Sequence, residues 1–160
     1  MVVGRTLKLR RAALAGSLVV SLALGVTGAS PAQAGPLRDK LLSVINRVRV
    51  SHDLEPITLN KRLSDPAKAH TRKMIRRGIL FDPRNLYELL EPYNWTEVGA
   101  DVVGCHDTFN KMMRQWMGED FHRSIILHPD LEKAGIGAIR VDGKSACGRD
   151  QIWATAIMYG

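Results

Sequence analysis

Residues 134–159 read AGIGAIRVDGKSACGRDQIWATAIMY. Two strand-like apolar runs, Ala134–Val141 and Gln151–Tyr159, flank a polar linker. Within the linker, Asp142-Gly143-Lys144 is a turn signal, because glycine adopts the backbone that a tight reversal needs. The segment is expected to form a β-hairpin. Cys147 sits in the same linker, so a bond from its sulfur would tie the hairpin to whatever holds the partner.

Moving outward, the apolar period lengthens. After Asp107 a strongly amphipathic helix carries Phe109, Met112, Met113, Trp116 and Met117 on one face, a stripe that reads as core. A short helical segment follows Phe121, runs through Leu127 and stops before Pro129. Glu97–Cys105 reads as a strand with Val98 and Val102-Val103 embedded, and Ile79–Tyr93 as irregular or short-helical, anchored by Leu86, Leu89 and Leu90. Before it lies a helix that starts at Asn60, a good N-cap, or at Ser64-Asp65 with Pro66 in its first turn. Its stripe is Leu63, Ala67, His70 and Met74, and Gly78 marks its end. The first helix of the domain shows Leu37, Leu41, Leu42, Ile45 and Val48 at spacings of three and four, and stops near Ser51-His52-Asp53. Helices, a strand, a helix and a hairpin in that order suit an α+β sandwich with an antiparallel sheet.

Residues 1–34 have a different character. A basic start ending at Arg10-Arg11 precedes an apolar run of 15 residues, Ala12–Val26, and then Ala32-Gln33-Ala34. This is the pattern of a secretory signal peptide cleaved after Ala34. The run is shorter than the roughly 20 residues of a membrane-spanning helix, which disfavours the alternative of an uncleaved anchor. The domain is thus expected to be residues 35–160, secreted, with no transmembrane segment of its own. The whole 160-residue chain carries a formal +7, but four of its basic residues lie in this leader, where there is no acid. The remainder holds 19 basic and 16 acidic residues, a net +3 that gives no reason to expect a nucleic-acid partner.

Secretion decides how the cysteines read. Cys105 and Cys147 are the two in the chain, and outside the cell an even count favours a disulfide, here closing a loop of about 40 residues worth about 3–4 kcal/mol. A Cys105–His106 dyad is disfavoured, since neighbours on a strand point to opposite faces. On the helix after Asn60 the side away from the apolar stripe is basic. Lys61, Lys68, Arg72 and Arg76 form one row, with Lys73 and Arg77 beside it. Such a row is a solvated face or a contact for anionic headgroups or acidic wall polymers, with Lys68, Arg72, Arg76 and Arg77 at its centre. Asn94-Trp95-Thr96 is formally a glycosylation sequon.

The ordered set of residues from 41 to 159 resembles the CAP superfamily of cysteine-rich secretory, antigen 5 and pathogenesis-related proteins, in its short bacterial SCP-like form. Asn46 and Arg49 resemble the family's opening Asn-x-x-Arg. Leu63, Ala67, His70, Met74 and Gly78-Ile79-Leu80-Phe81 follow in its order, and Trp95 and Gly99 resemble the approach to its Gly-Glu-Asn segment. Trp116-Met117 and His122-Arg123 are similar to its Trp-Met-x-Ser-Pro-Gly-His-Arg stretch, and Gly135-Ile136-Gly137 and Ile152-Trp153-Ala154-Thr155 to its last hairpin.

The resemblance implies a three-layer α-β-α sandwich around a three-stranded antiparallel sheet, and a cleft with two histidines and two acids. Here the four cleft positions are Asp82, Ala100, Glu119 and His122, so a histidine and a glutamate are replaced. Glu97 and Asp101, at odd offsets from Ala100, do not restore the missing acid. Asp82, Glu119 and His122 would make at most a weak oxygen-rich cation site, and the preferred expectation is that Glu119 and His122 bond each other, with neither metal nor cofactor. The implied function is a secreted, non-catalytic binding module recognising a lipid or a cell-envelope component. One alternative is a protease-like hydrolase using Glu119 and His122, although none of Ser43, Ser51, Ser64, Ser124 and Ser145 lies in a Gly-x-Ser-x-Gly elbow. The other is a structural, envelope-associated interaction protein.

Overall fold

The computed structural model describes residues 31–160; of the expected leader, residues 1–30 lie outside the described residues. Helix α1 (Pro31–Val50) leads to a short strand β1 (Thr58–Leu59) and helix α2 (Lys61–Arg77). A small helix α3 (Leu86–Leu90) and one 3-10 turn precede strand β2 (Gly99–His106). Helices α4 (Phe109–Gly118) and α5 (Asp120–Ile126) come next, and β3 (Lys133–Ser145) and β4 (Gly148–Tyr159) close the chain. Among the described residues no helix is long and apolar enough to cross a membrane.

The sheet corrects the expectation of three antiparallel strands: it is four-stranded and mixed, in the order β1-β3-β4-β2. β2 and β3 do flank β4 antiparallel, but β1 adds a parallel edge through Thr58↔Lys133 and Leu59↔Ala134. The two residues of β1, just before the Asn60 cap, are too few to show strand alternation. Their placement rests on backbone bonds from Thr58 N to Glu132 O and from Asn60 N to Ala134 O, both 2.8 Å.

The hairpin turn also moves. Ser145 pairs with Gly148, so the reversal is at Ala146-Cys147, and Asp142-Gly143 is a bulge inside β3. Gly143 uses its left-handed φ of 77° there, and its amide donates to Asp150 Oδ1 at 2.6 Å. The glycine signal is real, but it marks a kink in an extended ribbon. The ribbon is fastened as expected by the Cys105–Cys147 disulfide, which joins β2 to the turn across 42 positions of sequence.

Helices cover both faces. Leu41, Val44 and Ile45 of α1, Phe109, Met112, Met113 and Trp116 of α4 and Ile126 of α5 pack on one face of the sheet, with Val102, Ile136, Ala154 and Met158. On the other, Leu63, Ala67 and Met74 of α2 and Leu90 of α3 meet Val103, Trp153, Ile157 and Tyr159. Among the described residues, every member of these three clusters lies between Leu37 and Tyr159.

Helix α2 is capped by Asn60, whose side chain accepts from Leu63 N at 3.0 Å, and by left-handed Gly78. It lies on β3 with backbone against backbone. A Cβ at Gly135 would stand 2.4 Å from the Leu63 carbonyl carbon, and one at Gly137 2.4 Å from Lys68 N. The hydroxyl of Thr71, fully buried and absent from the expected stripe, lies at this seam within hydrogen-bond distance of Gly137 O (3.2 Å) and Thr155 Oγ1 (2.9 Å).

At the far end, Arg49 is fully buried, with no carboxylate partner among the described residues. Its guanidinium donates to Glu55 O (2.9 Å), Ile126 O (2.8 Å), His128 O (2.8 Å) and Leu131 O (3.3 Å). One turn earlier Asn46 grips Ile57 at both backbone atoms, donating to its oxygen (2.8 Å) and accepting from its nitrogen (3.0 Å).

Two substitutions probe these seams in denaturant unfolding. Gly137→Ala must push α2 off the sheet, and its expected cost is about 1–3 kcal/mol or more; an unchanged midpoint would mean that the close approach carries no constraint. Arg49→Leu leaves four inward-facing carbonyls without donors, with an expected loss of at least about 3 kcal/mol. Lysine should not rescue it, because an ammonium cannot reproduce the planar fork.

Candidate functional site

The four cleft positions implied by the resemblance fall on different layers. Strand alternation turns Ala100 to the same face as Val102 and Gly104, where a Cβ on Gly104 would meet Met112 and Trp116 of α4. Glu119 is the junction residue between α4 and α5, held extended (φ −107°, ψ 120°) by its amide bond to Trp116 O. That break in the helix lets His122, three residues on, bring its Nδ1 to Glu119 Oε2. Gln115 Nε2 also donates to Glu119 at 3.3 Å. The histidine bond, and secondarily the glutamine, hold the Glu119 carboxyl below the usual glutamate range. The neighbouring Ser124 hydroxyl donates to Phe121 O at 2.7 Å, and Phe121 itself is exposed.

Asp82 belongs to the opposite layer. It follows α2 in the loop where Phe81 packs edge-on against His70 at 4.9 Å, and His70 Nε2 bonds Phe81 O at 2.6 Å. His70 is thus a half-buried, satisfied histidine. The charge of Asp82 is felt by Asp101, which the strand turns to the α2 face. Asp101 is the single acid in β2, and its Oδ2 is buried without a partner. Burial foremost, and then repulsion by Asp82, push its carboxyl up to about 7. The odd offset that excludes Asp101 from the Ala100 side places its carboxyl within reach of the Asp82 charge on the other side. Among the described residues no group of three or more His, Cys, Asp or Glu side chains is arranged to hold a metal ion.

Two surface features lie outside these positions. The basic row of α2 is as expected from its spacing: Arg72, Lys73, Arg76 and Arg77 are exposed and Lys68 half-buried, and none of them forms an ion pair among the described residues. A pocket of about 540 Å³ lies at the start of β3, lined by Glu55, Glu97, Asp130, Glu132 and Lys133 among others.

A family model for the cysteine-rich secretory protein family, CAP, matches residues 42–157. The chain belongs to the CAP family. Relatives agree on the fold at low identity. The Bacillus subtilis protein YkwD is 21% identical over 120 residues, covering 71% of this chain and 46% of that protein, so the chain spans about half its relative's length. An extracellular SCP-domain protein from Bacillus anthracis superposes with a TM-score of 0.63 at 14% identity, covering 82% of this chain and 44% of that one. An outer surface protein of Borrelia burgdorferi gives 0.62 at 14% identity, covering 76% of this chain and 90% of that one. A cysteine-rich secretory protein from Staphylococcus aureus gives 0.61 at 20% identity, covering 82% and 40%.

Within this CAP domain, the sequence placed Asp101 on the face away from Ala100 but did not reveal its buried, unpartnered oxygen, nor the exposure of Ile79 and Leu80 (55% and 43%). Asp101 had one signal, an acid inside an apolar strand. The exposed pair had none, because apolar residues after a helix cap read equally well as core.

Asp101 makes stability depend on pH in a definite direction. Below its ordinary 3.8 the folded and unfolded chains both carry the proton and the Asp101 contribution is intact. Between 3.8 and about 7 the unfolded chain releases a proton that the folded chain keeps, so stability falls as pH rises and the contribution is gone above about 7. Asp101→Asn should remove that fall, so the melting temperature of the variant relative to the parent climbs from pH 4 to pH 8. Parallel curves would show that Asp101 is solvated.

Proposed function

We propose that this CAP domain is a secreted, non-catalytic binding module that recognises a lipid or a cell-envelope component. The observation that carries the reading is the state of the cleft positions. Ala100 has no group to offer, Glu119 is engaged by His122, and Asp82 acts on Asp101 on the other side of the sheet. A hydrolytic centre needs a base, a nucleophile or activated water, and oxyanion donors converging on one point. Residues so divided do not converge. Secretion is supported by the leader pattern of residues 1–34 and by relatives described as extracellular, secretory or outer-surface proteins. The basic row on α2 supports recognition of an anionic component, whether by a binding module or by a structural envelope protein.

One observation favours the hydrolase reading. The Glu119–His122 bond engages Nδ1, which leaves Nε2 of the ring as a base oriented by a carboxylate. Its weakness is the missing nucleophile, since Ser124 sits two residues along the helix and is bonded to Phe121 O.

The double variant Glu119→Gln, His122→Asn separates the two. The binding reading expects retention on isolated cell envelopes to change less than about twofold, while Arg72→Gln, Arg76→Gln, Arg77→Gln lowers it at least about tenfold. Peptide or ester hydrolysis by the parent protein that disappears in the double variant would replace this reading with the hydrolase.

A further inference from the structure

Charge in this domain is unevenly divided between α2 with its following loop and the rest. Residues 61–84 hold eight basic residues and two acids, a net +6, whereas residues 35–160 as a whole carry +3. The rest of the domain is therefore net negative, and four of its acids, Glu55, Glu97, Asp130 and Glu132, line the pocket at the Lys133 end of β3. The opposite end of β3 is the hairpin turn, where Ala146 would lie 3.1 Å from a Cβ on Gly78, the C-cap of α2. Directly after that cap come Ile79 and Leu80, both exposed. Phe81 folds back under the cations: Arg77 stands 5.2 Å and Lys73 5.9 Å from its ring centroid. The apolar tip and the basic face are thus one continuous surface, backed by the disulfide-tied hairpin.

We infer that this surface docks on an anionic lipid bilayer, with the α2 cations at the headgroups and Ile79-Leu80 dipping below them. The inference rests on the binding-module reading and names its partner. Charge complementarity selects an anionic surface, and the separation of charge orients the molecule, keeping the acidic pocket away from it. The two apolar side chains select a bilayer over a soluble polyanion. They gain nothing from a hydrated polymer, but transfer out of water when they reach the acyl boundary. Asp65 and Asp82, the acids of the segment, are outnumbered four to one by cations.

The test is sedimentation of residues 35–160, which lack the apolar run of the leader, with vesicles of phosphatidylcholine alone or with about a third phosphatidylglycerol, in about 0.1 M salt. The protein should sediment with the anionic vesicles and not with the neutral ones. Arg72→Gln, Arg76→Gln, Arg77→Gln should weaken partitioning about 100-fold. Ile79→Ser, Leu80→Ser should weaken it about tenfold or more while leaving retention on heparin, a soluble polyanion, unchanged. Both sets of substitutions are at exposed positions, and an unchanged melting temperature checks the fold. If the serine variant binds anionic vesicles like the parent, the surface reads charge alone and the bilayer inference falls. No vesicle binding with retention on isolated envelopes overturns the bilayer but keeps the binding module. Loss of both overturns both.

Discussion

A fully buried guanidinium with no carboxylate beside it is the constraint on which the remaining geometry depends. Arg49 at the end of α1 donates to carbonyls of the loop before β1, of α5 and of the approach to β3. Those three segments are irregular just where their backbone is enclosed, so their carbonyls need donors that no ladder supplies. One planar, multi-pronged cation meets four of them at once. Burial lowers the proton affinity of Arg49, yet an arginine so far above neutrality stays charged. Its charge is spread over four carbonyl dipoles in place of a single anion. With Asn46 clasping Ile57, α1 thereby fixes β1, and β1 fixes where α2 begins.

From there the path of α2 is set by absent side chains. Gly135 and Gly137 let its backbone rest on β3, and Thr71 closes the seam with a hydroxyl shared between helix and sheet. A helix pressed so close buries a narrow stripe, Leu63, Ser64, Ala67, Thr71 and Met74. The rest of its circumference faces out, and there the chain places lysine and arginine. The charged surface is a geometric consequence of the glycine seam: a wider apolar stripe on α2 would need more distance from the sheet than these glycines provide.

How far the sequence could be read depended on the length scale of each signal. The α4 stripe, the α2 caps and the β3–β4 ribbon repeat over several turns or pairs, so period alone locates them. The two residues of β1 have no period, and their position depends on Lys133 and Ala134 and on a bond from Thr58 to Glu132, 74 positions later. Asp142-Gly143 carries turn chemistry, but a left-handed glycine serves a bulge as well as a reversal, and pairing with Asp150 decides between them. For the site, the i, i+3 spacing of Glu119 and His122 does place them in contact. That Asp82 acts on Asp101 was not legible, since it needs the loop after α2 to fold against β2.

At position 100 the family resemblance implies a glutamate, and the neighbouring Asp101 shows why an acid one place along a strand does not stand in for it. A shift of one position turns the carboxyl through the sheet. On the α4 side an acid would stand in the layer that holds Glu119 and His122; on the α2 side Asp101 meets apolar packing and the charge of Asp82. Burial then favours the neutral acid, with an apparent affinity for protons near neutrality. An acid whose charged form is disfavoured by burial, with an oxygen enclosed without a partner, is poorly suited to hold a cation. Position 100 thus contributes no carboxylate to the layer of Glu119 and His122, while Asp101 on the other face carries a carboxyl whose charge burial suppresses.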